Sequence, residues 1–167
     1  WRERDYENID GLITNVPGLT LVTFFADCVP LYFVDPVHRA IGLSHSGWKG
    51  TVHRMGQKTI EAMGEAFGTK PEDLRVCIGP SICRDWYEVS EDVADAFKEE
   101  FGAEISQDDS TSYYSWNGKS ILMNKRNGKY QLDLWGANRL VLLGAGILPE
   151  HLAVTNVCTK CNPDLLY

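Results

Sequence analysis

Short apolar, β-branched runs separated by punctuated loops occupy the first part of the chain, and longer helical periods follow. Leu19–Phe25 is apolar at most positions, which predicts a buried strand. Pro30–Val34 predicts a second strand, closed by Asp35-Pro36, and Ala40–Ser44 a third that runs into His45. Gly47-Trp48-Lys49-Gly50 then bends the chain. Thr51 is the expected N-cap of a helix to about Phe67, with Val52, Met55, Ile60, Met63 and Phe67 on one face and Gly68 as its stop. Leu74–Ile78 predicts a strand leading into the Gly79-Pro80-Ser81-Ile82 loop. Ser90 opens a helix whose inner face is Val93, Ala94, Phe97 and Phe101, with Glu91 and Asp92 in the first turn, where carboxylates suit the helix dipole. Residues 102–118 are polar and predict an exposed insertion or weak hairpin. Asp133 opens a third helix that Gly144 and Gly146 end, and Leu152–Val157 is the last expected strand, delivering Cys158. Strands and helices mix without a regular βαβ rhythm, so the expected class is α+β.

Composition narrows the function classes. The 167 residues suit one domain, and 44% hydrophobic residues suffice for a core. A net charge of −7 without a basic tract argues against a nucleic-acid surface. No apolar run approaches the roughly 18 residues of a membrane helix, and no secretory leader opens the chain. Trp1–Tyr6 is polar and aperiodic, and the missing initiator Met predicts a longer parent. The odd set Cys28, Cys77, Cys83, Cys158 and Cys161 is no disulfide framework and predicts a reducing cytoplasm. Cys158-Thr-Lys-Cys161 is a lone CxxC that suits half a zinc site or a redox pair; because closed zinc needs four ligands, the expectation is two strand-end thiols and no second metal site.

Two patches carry candidate chemistry. Cys28, in Ala26-Asp27-Cys28-Val29-Pro30, and His45, in His45-Ser46-Gly47-Trp48-Lys49-Gly50, stand at neighbouring strand ends. A thiolate and an imidazole that meet can bind a transition metal or act as nucleophile and base. Both residue types also occur as inert core or surface groups. Asp27 beside Cys28 favours function, because a buried strand rarely holds an unpaired carboxylate. His38, His53 and His151 fit turns, a helix start and a connecting loop. Gly47–Thr51, with Lys49 and Arg54 nearby, offers backbone N–H groups that suit phosphate, although it is not a Walker loop. Trp48 and Trp86 can stack on a base or simply pack.

These motifs also carry a resemblance. Asp10-Gly11-Leu12-Ile13-Thr14-Asn15, Ala26-Asp27-Cys28-Val29-Pro30, His45-Ser46-Gly47-Trp48-Lys49-Gly50, Ile78-Gly79-Pro80-Ser81-Ile82, Tyr87-Glu88-Val89 and Cys158-Thr159-Lys160-Cys161 stand in one order over nearly the whole chain. Together they resemble the YfiH-type laccase-domain family, once called multicopper polyphenol oxidases and now described as purine nucleoside phosphorylases. The resemblance implies mixed β-sheets flanked by helices in a sandwich-like α/β/β/α fold. It implies a zinc site of one Cys and two His, with Cys28 and His45 as catalytic metal ligands. The third His belongs upstream of Asp10 and is absent from this chain, as is the family's short C-terminal Ser-x-Arg tail. It further implies phosphorolysis of adenosine, inosine and methylthioadenosine to base and ribose 1-phosphate, with adenosine deamination. Asp27, Trp48, Lys49, Gly50, Thr51, Arg54 and Ser81 are the candidate substrate or phosphate contacts. Lys49 replaces the family's commoner Arg, which keeps the charge and loses the bidentate fork. The competing readings are a metal-free cysteine hydrolase, a Cu2+ polyphenol oxidase, for which four His are few, and a non-enzymatic binding module. No oligomeric state is indicated. A separation beyond about 8 Å between Cys28 and His45 would exclude a joint metal site, since ligand distances are about 2.0–2.3 Å.

Overall fold

The computed structural model describes residues 9–102, 104–108, 111–116, 118–125 and 127–166. In chain order the strands are β1 (Gly11–Thr14), β2 (Val29–Asp35), β3 (Ala40–Ser46), β4 (Arg75–Ile78), β5 (Glu88–Ser90), β6 (Glu104–Asp108), β7 (Thr111–Trp116), β8 (Lys119–Asn124), β9 (Lys129–Leu132) and β10 (Leu152–Val154). The helices are α1 (Trp48–Val52), α2 (Met55–Phe67), α3 (Glu91–Phe101) and α4 (Leu134–Gly144). Trp1–Tyr6 lies outside the described residues. No described helix is long and apolar enough to cross a membrane.

Two five-stranded sheets form, in the orders β1-β3-β2-β4-β10 and β5-β9-β8-β7-β6. Every pairing is antiparallel except β4 with β10, so the whole second sheet is inserted between these two parallel neighbours. The class is α+β, as the sequence predicts. In β2, Leu31 and Phe33 point into the core while Tyr32 and Val34 stay exposed, the alternation of a half-buried antiparallel sheet. Helix α2 packs on β1 and β3, α3 on β5 and β9, and α4 touches both β4 and β8. One continuous apolar core therefore runs from Phe33 and Met63 through Leu142 to Phe97 and Leu122.

Three boundaries differ from expectation. Leu19–Phe25 is not a strand: it has no ladder partner among the described residues, and Phe24 is 95% exposed. Its alternation suits an extended chain, but β1 has taken the edge position beside β3. The helix after Gly47 is two helices, because Arg54 adopts left-handed backbone at φ 55° and breaks the run. Gly47, not Thr51, is the N-cap, and Thr51 is wholly buried within α1. The last strand stops at Val154, and Asn156 at φ 54° turns the chain away before Cys158. The weak hairpin over 102–118 is realised as β6 and β7 at the edge of the second sheet. Ser90 precedes α3 as expected, but its hydroxyl donates to Asp92 and caps no backbone group. Asp133 does cap α4, accepting from the Gly136 N–H at 2.8 Å.

One buried polar cluster ties the two halves together. The Ser46 hydroxyl donates to Asn138 Oδ1 at 2.7 Å, and Asn138 Nδ2 donates to Thr51 Oγ1 at 2.9 Å. Thr51 Oγ1 in turn donates to the Gly47 carbonyl at 2.8 Å. All three side chains are essentially inaccessible. Replacing Asn138 by Ala removes partners from both hydroxyls, at about 1–3 kcal/mol for a stranded buried group. N138A is therefore expected to lower the unfolding free energy by about 1–3 kcal/mol, read as a lower denaturant midpoint with an unchanged slope. A midpoint equal to wild type would show that the cluster does not hold the turn.

Candidate functional site

Strands β2 and β3 pair in the register Val29↔Ser46 and Pro30↔His45, so the residues flanking Val29 and Ser46 emerge side by side at one sheet end. Gly47 sits between them. A Cβ at Gly47 would lie 3.0 Å from Cys28 Sγ and 3.6 Å from His45 Nε2, so the thiol and the imidazole nitrogen face one point above this glycine. Any side chain there would collide with the thiol, which explains the glycine better than any need for turn freedom.

The other ring nitrogen of His45 is already engaged. His45 Nδ1 donates to Asp10 Oδ1 at 3.1 Å, and the His45 backbone N–H donates to the Asp10 carbonyl at 2.7 Å. A carboxylate only accepts, so the proton belongs on Nδ1 and the Nε2 lone pair is left free. The Phe25 ring leans on the imidazole at 5.6 Å between centroids. Burial pushes the Cys28 thiol up from its ordinary range, and the charges of Asp27 and Asp10 push the same way. A thiolate at this position is thus disfavoured unless a cation offsets the two carboxylates. Tyr87 borders the same group: burial, with Cys28 and Asp27 nearby, raises its phenol to about 12.

The remaining candidates divide. Asp27 stays at the site, where its carboxylate accepts from the Thr159 hydroxyl at 2.6 Å and its carbonyl from the Ile82 N–H at 3.0 Å. Lys49 is exposed, with its ammonium 5.4 Å from the centroid of the Trp48 ring, which itself packs against the core. Gly50 packs tightly: a Cβ there would be 3.1 Å from the His45 carbonyl. Thr51, Arg54 and Ser81 serve structure. Thr51 has its hydroxyl in the buried cluster and its N–H on the Gly47 carbonyl. Arg54 pairs with Glu100 and lies over Phe101, on the side of α3. Ser81 is fully buried and accepts from Trp135 Nε1 at 2.6 Å. Helix α1 has only five residues, so the helix dipole expected at Gly47–Thr51 is small.

Asp10, Phe25, Tyr87 and Thr159 were not foreseen as site residues. Asp10 is brought to His45 by the β1–β3 pairing, and nothing in local periodicity announces that pairing. A cavity of about 720 Å3 opens beside His45, lined by Asp10, Leu12, Leu21 and Thr23 among others. That is the size range of small-ligand sites.

The donor set fits one cation and not several. A soft thiolate and a borderline imidazole share one focus, and a carboxylate orients the imidazole from behind, as around bound zinc. The other histidines are elsewhere: His38 is bonded to Asp35 at 2.8 Å, His151 accepts from Arg75 at 2.7 Å, and His53 ends α1. Among the described residues there is no histidine cluster of the kind that several copper ions require.

The chain matches the family model described as multi-copper polyphenol oxidoreductase laccase over residues 2–167. It belongs to that family. It is 37% identical over 158 residues to a protein of Bacillus subtilis named purine nucleoside phosphorylase YlmD, covering 95% of this chain and 52% of the relative. It is 32% identical over 160 residues to adenosine deaminase RL5 of an unknown prokaryotic organism, covering 96% of this chain and 56% of the relative. The crystal structure of YlmD from Geobacillus stearothermophilus superposes with a TM-score of 0.80 at 33% identity, covering 93% of this chain and 53% of that one. The chain therefore spans about half the length of the curated relatives it matches.

The Asp10 contact predicts the tautomer of His45. Nitrogen shifts of the imidazole at neutral pH are expected to show the proton on Nδ1 in the wild type and a shift of population towards Nε2–H in Asp10→Ala. A wild-type ring protonated mainly on Nε2 would contradict the geometry.

Proposed function

We propose that the chain contributes the metal-binding half-site of a purine nucleoside phosphorylase that also deaminates adenosine. The observation that supports it is the convergence of Cys28 Sγ and His45 Nε2 above Gly47, with Asp10 holding the far side of the ring. Relatives named purine nucleoside phosphorylase and adenosine deaminase supply the substrate class.

In this reading Cys28 and His45 hold a zinc ion, with further ligands from outside the pair. When bound, the ion supplies a Lewis acid for a substrate or water oxygen. The protein's own groups do the rest. Asp10 fixes the imidazole orientation, and Asp27, tethered by Thr159, fixes the loop that carries the thiol. The cavity along Asp10 and Leu21 receives the nucleoside, and Tyr87, kept protonated at neutral pH, is a hydrogen-bond donor beside Cys28 and Asp27. Lys49 is the exposed cation closest in sequence to Gly47 and is assigned to phosphate. A metal-free cysteine hydrolase fits less well, because an activated nucleophilic thiol is normally shifted down and this one is shifted up.

The test uses the full-length protein with adenosine or inosine. Base release is expected to require phosphate and to yield ribose 1-phosphate, whereas adenosine-to-inosine conversion proceeds without phosphate. Residues behind metal ligands usually cost about 10–100-fold when lost, so Cys28→Ala and His45→Ala should each cost more than about 100-fold. Lys49→Ala should raise the phosphate concentration needed for half-saturation and spare the rate at saturation. Equal cleavage with phosphate removed would make the protein a hydrolase. Full activity in Cys28→Ala would remove the central residue from the mechanism.

A further inference from the structure

A second cluster of metal-ligating groups lies apart from the Cys28–His45 pair. Cys83, Cys158 and Cys161 bring three sulfur atoms within 4.8 Å of one another. The CxxC alone offers two thiols. The third comes from the loop after β4, 75 residues away in sequence from Cys158. Backbone bonds zip the two segments together: the Ser81 N–H donates to the Val157 carbonyl at 3.2 Å, and the Thr159 N–H donates to the Ser81 carbonyl at 3.2 Å. Ser81 and Cys158 thereby form a parallel bridge.

One sulfur of the three, that of Cys158, is also prepared for charge, whereas burial and the neighbouring Cys158 push the Cys83 thiol up to about 11. The Cys83 N–H donates to Cys158 Sγ at 3.3 Å, and the Cys161 N–H points at the same sulfur. Burial alone would raise the Cys158 thiol, but these donors and the two neighbouring thiols outweigh it and draw it down. Asn162 closes the turn, its Nδ2 donating to the Cys158 carbonyl at 2.8 Å. Cys158 is buried, Cys83 half-buried and Cys161 exposed, so an ion at their centre would keep one side open to solvent. Thiolates bound tetrahedrally at about 2.3 Å are separated by about 3.8 Å, which the cluster reaches with small side-chain rotations.

We propose that Cys83, Cys158 and Cys161 form a three-thiolate site for zinc, distinct from the Cys28–His45 pair, with solvent or a further ligand in the fourth position. Three thiolates select a thiophilic ion over magnesium or calcium. The ion would cross-link the loop after β4 to the turn after β10. Binding would release the thiol protons and oxidise nothing, so it needs no co-reactant. None of the three cysteines lines the cavity beside His45, so the ion would act on the two loops it joins rather than in that cavity. It is independent of the nucleoside reading.

The test is a titration of the reduced, metal-free full-length protein with Co2+, whose bonds to thiolate give a near-ultraviolet charge-transfer band. A Cys28→Ala, His45→Ala double variant isolates the second site. This variant is expected to retain a thiolate–cobalt band that Zn2+ abolishes by displacement. Adding Cys161→Ser, at an exposed position, should weaken Co2+ binding at least tenfold, and Cys83→Ser should do the same. Absence of the band in the double variant would overturn the proposal. So would a band insensitive to both serine substitutions. Isolation of the protein with a Cys158–Cys161 disulfide that persists in mild reductant would also overturn it, assigning the pair to redox chemistry instead.

Discussion

Asn138 lies in the middle of α4, yet its carboxamide is spent on Ser46 and Thr51, at the far end of the first sheet. That contact decides where Gly47 sits. Without it, the short α1 would have to be held by five residues of helix alone, too few to persist unaided. With it, the Gly47 carbonyl is fixed by the Thr51 hydroxyl, and the glycine is seated between Cys28 and His45. The same helix carries Leu134, Ala137 and Val141 into the common core, and it touches strands of both sheets. A polar group in the core is costly unless fully paired, and here all its strong donors and acceptors are matched. The apolar core binds the layers together without specifying their register, whereas this cluster accepts only one.

Much of the architecture was legible. Strands β2, β3 and β4 show apolar and β-branched runs ended by Asp-Pro, His-Ser-Gly and Gly-Pro signals. The faces of α3 and α4 follow helical periods, and the Asp133 cap and the Gly68 stop obey local rules that need no tertiary information. Cys28 and His45 could be picked out by their unusual neighbours, although Cys28 proves to precede β2 rather than to end a strand of its own. What failed was non-local. Leu19–Phe25 has the composition of a strand but pairs with none of the described residues, and strand formation depends on pairing more than on propensity. Helix periodicity ran on through Arg54 because nothing in the residue type shows that its backbone is left-handed. Asp10 and Cys83 reach their clusters through pairings across 35 and 75 residues, invisible to any window of sequence. Thr51, Arg54 and Ser81 looked available for a ligand, and each proved to be committed to the protein itself.

The insertion of the second sheet between β4 and β10 has a bearing on how the chain assembles. β1, β2, β3 and β4 are close in sequence and can pair early in the order β1-β3-β2-β4, whereas β10 can join only after residues 79–151 have been brought back to its neighbour. Contacts of such long separation form against a large loop-closure entropy and come late. The bridge of Ser81 to Cys158 and the Thr159–Asp27 bond belong to that last event. Asp27 adjoins Cys28, so the loop bearing the thiol receives its outer tether only when the chain's final strand has docked. Completion of the fold and completion of the site thus coincide in time, and a chain stalled before that step would present its cysteine on a loop held by the Ile82 N–H but not by Thr159.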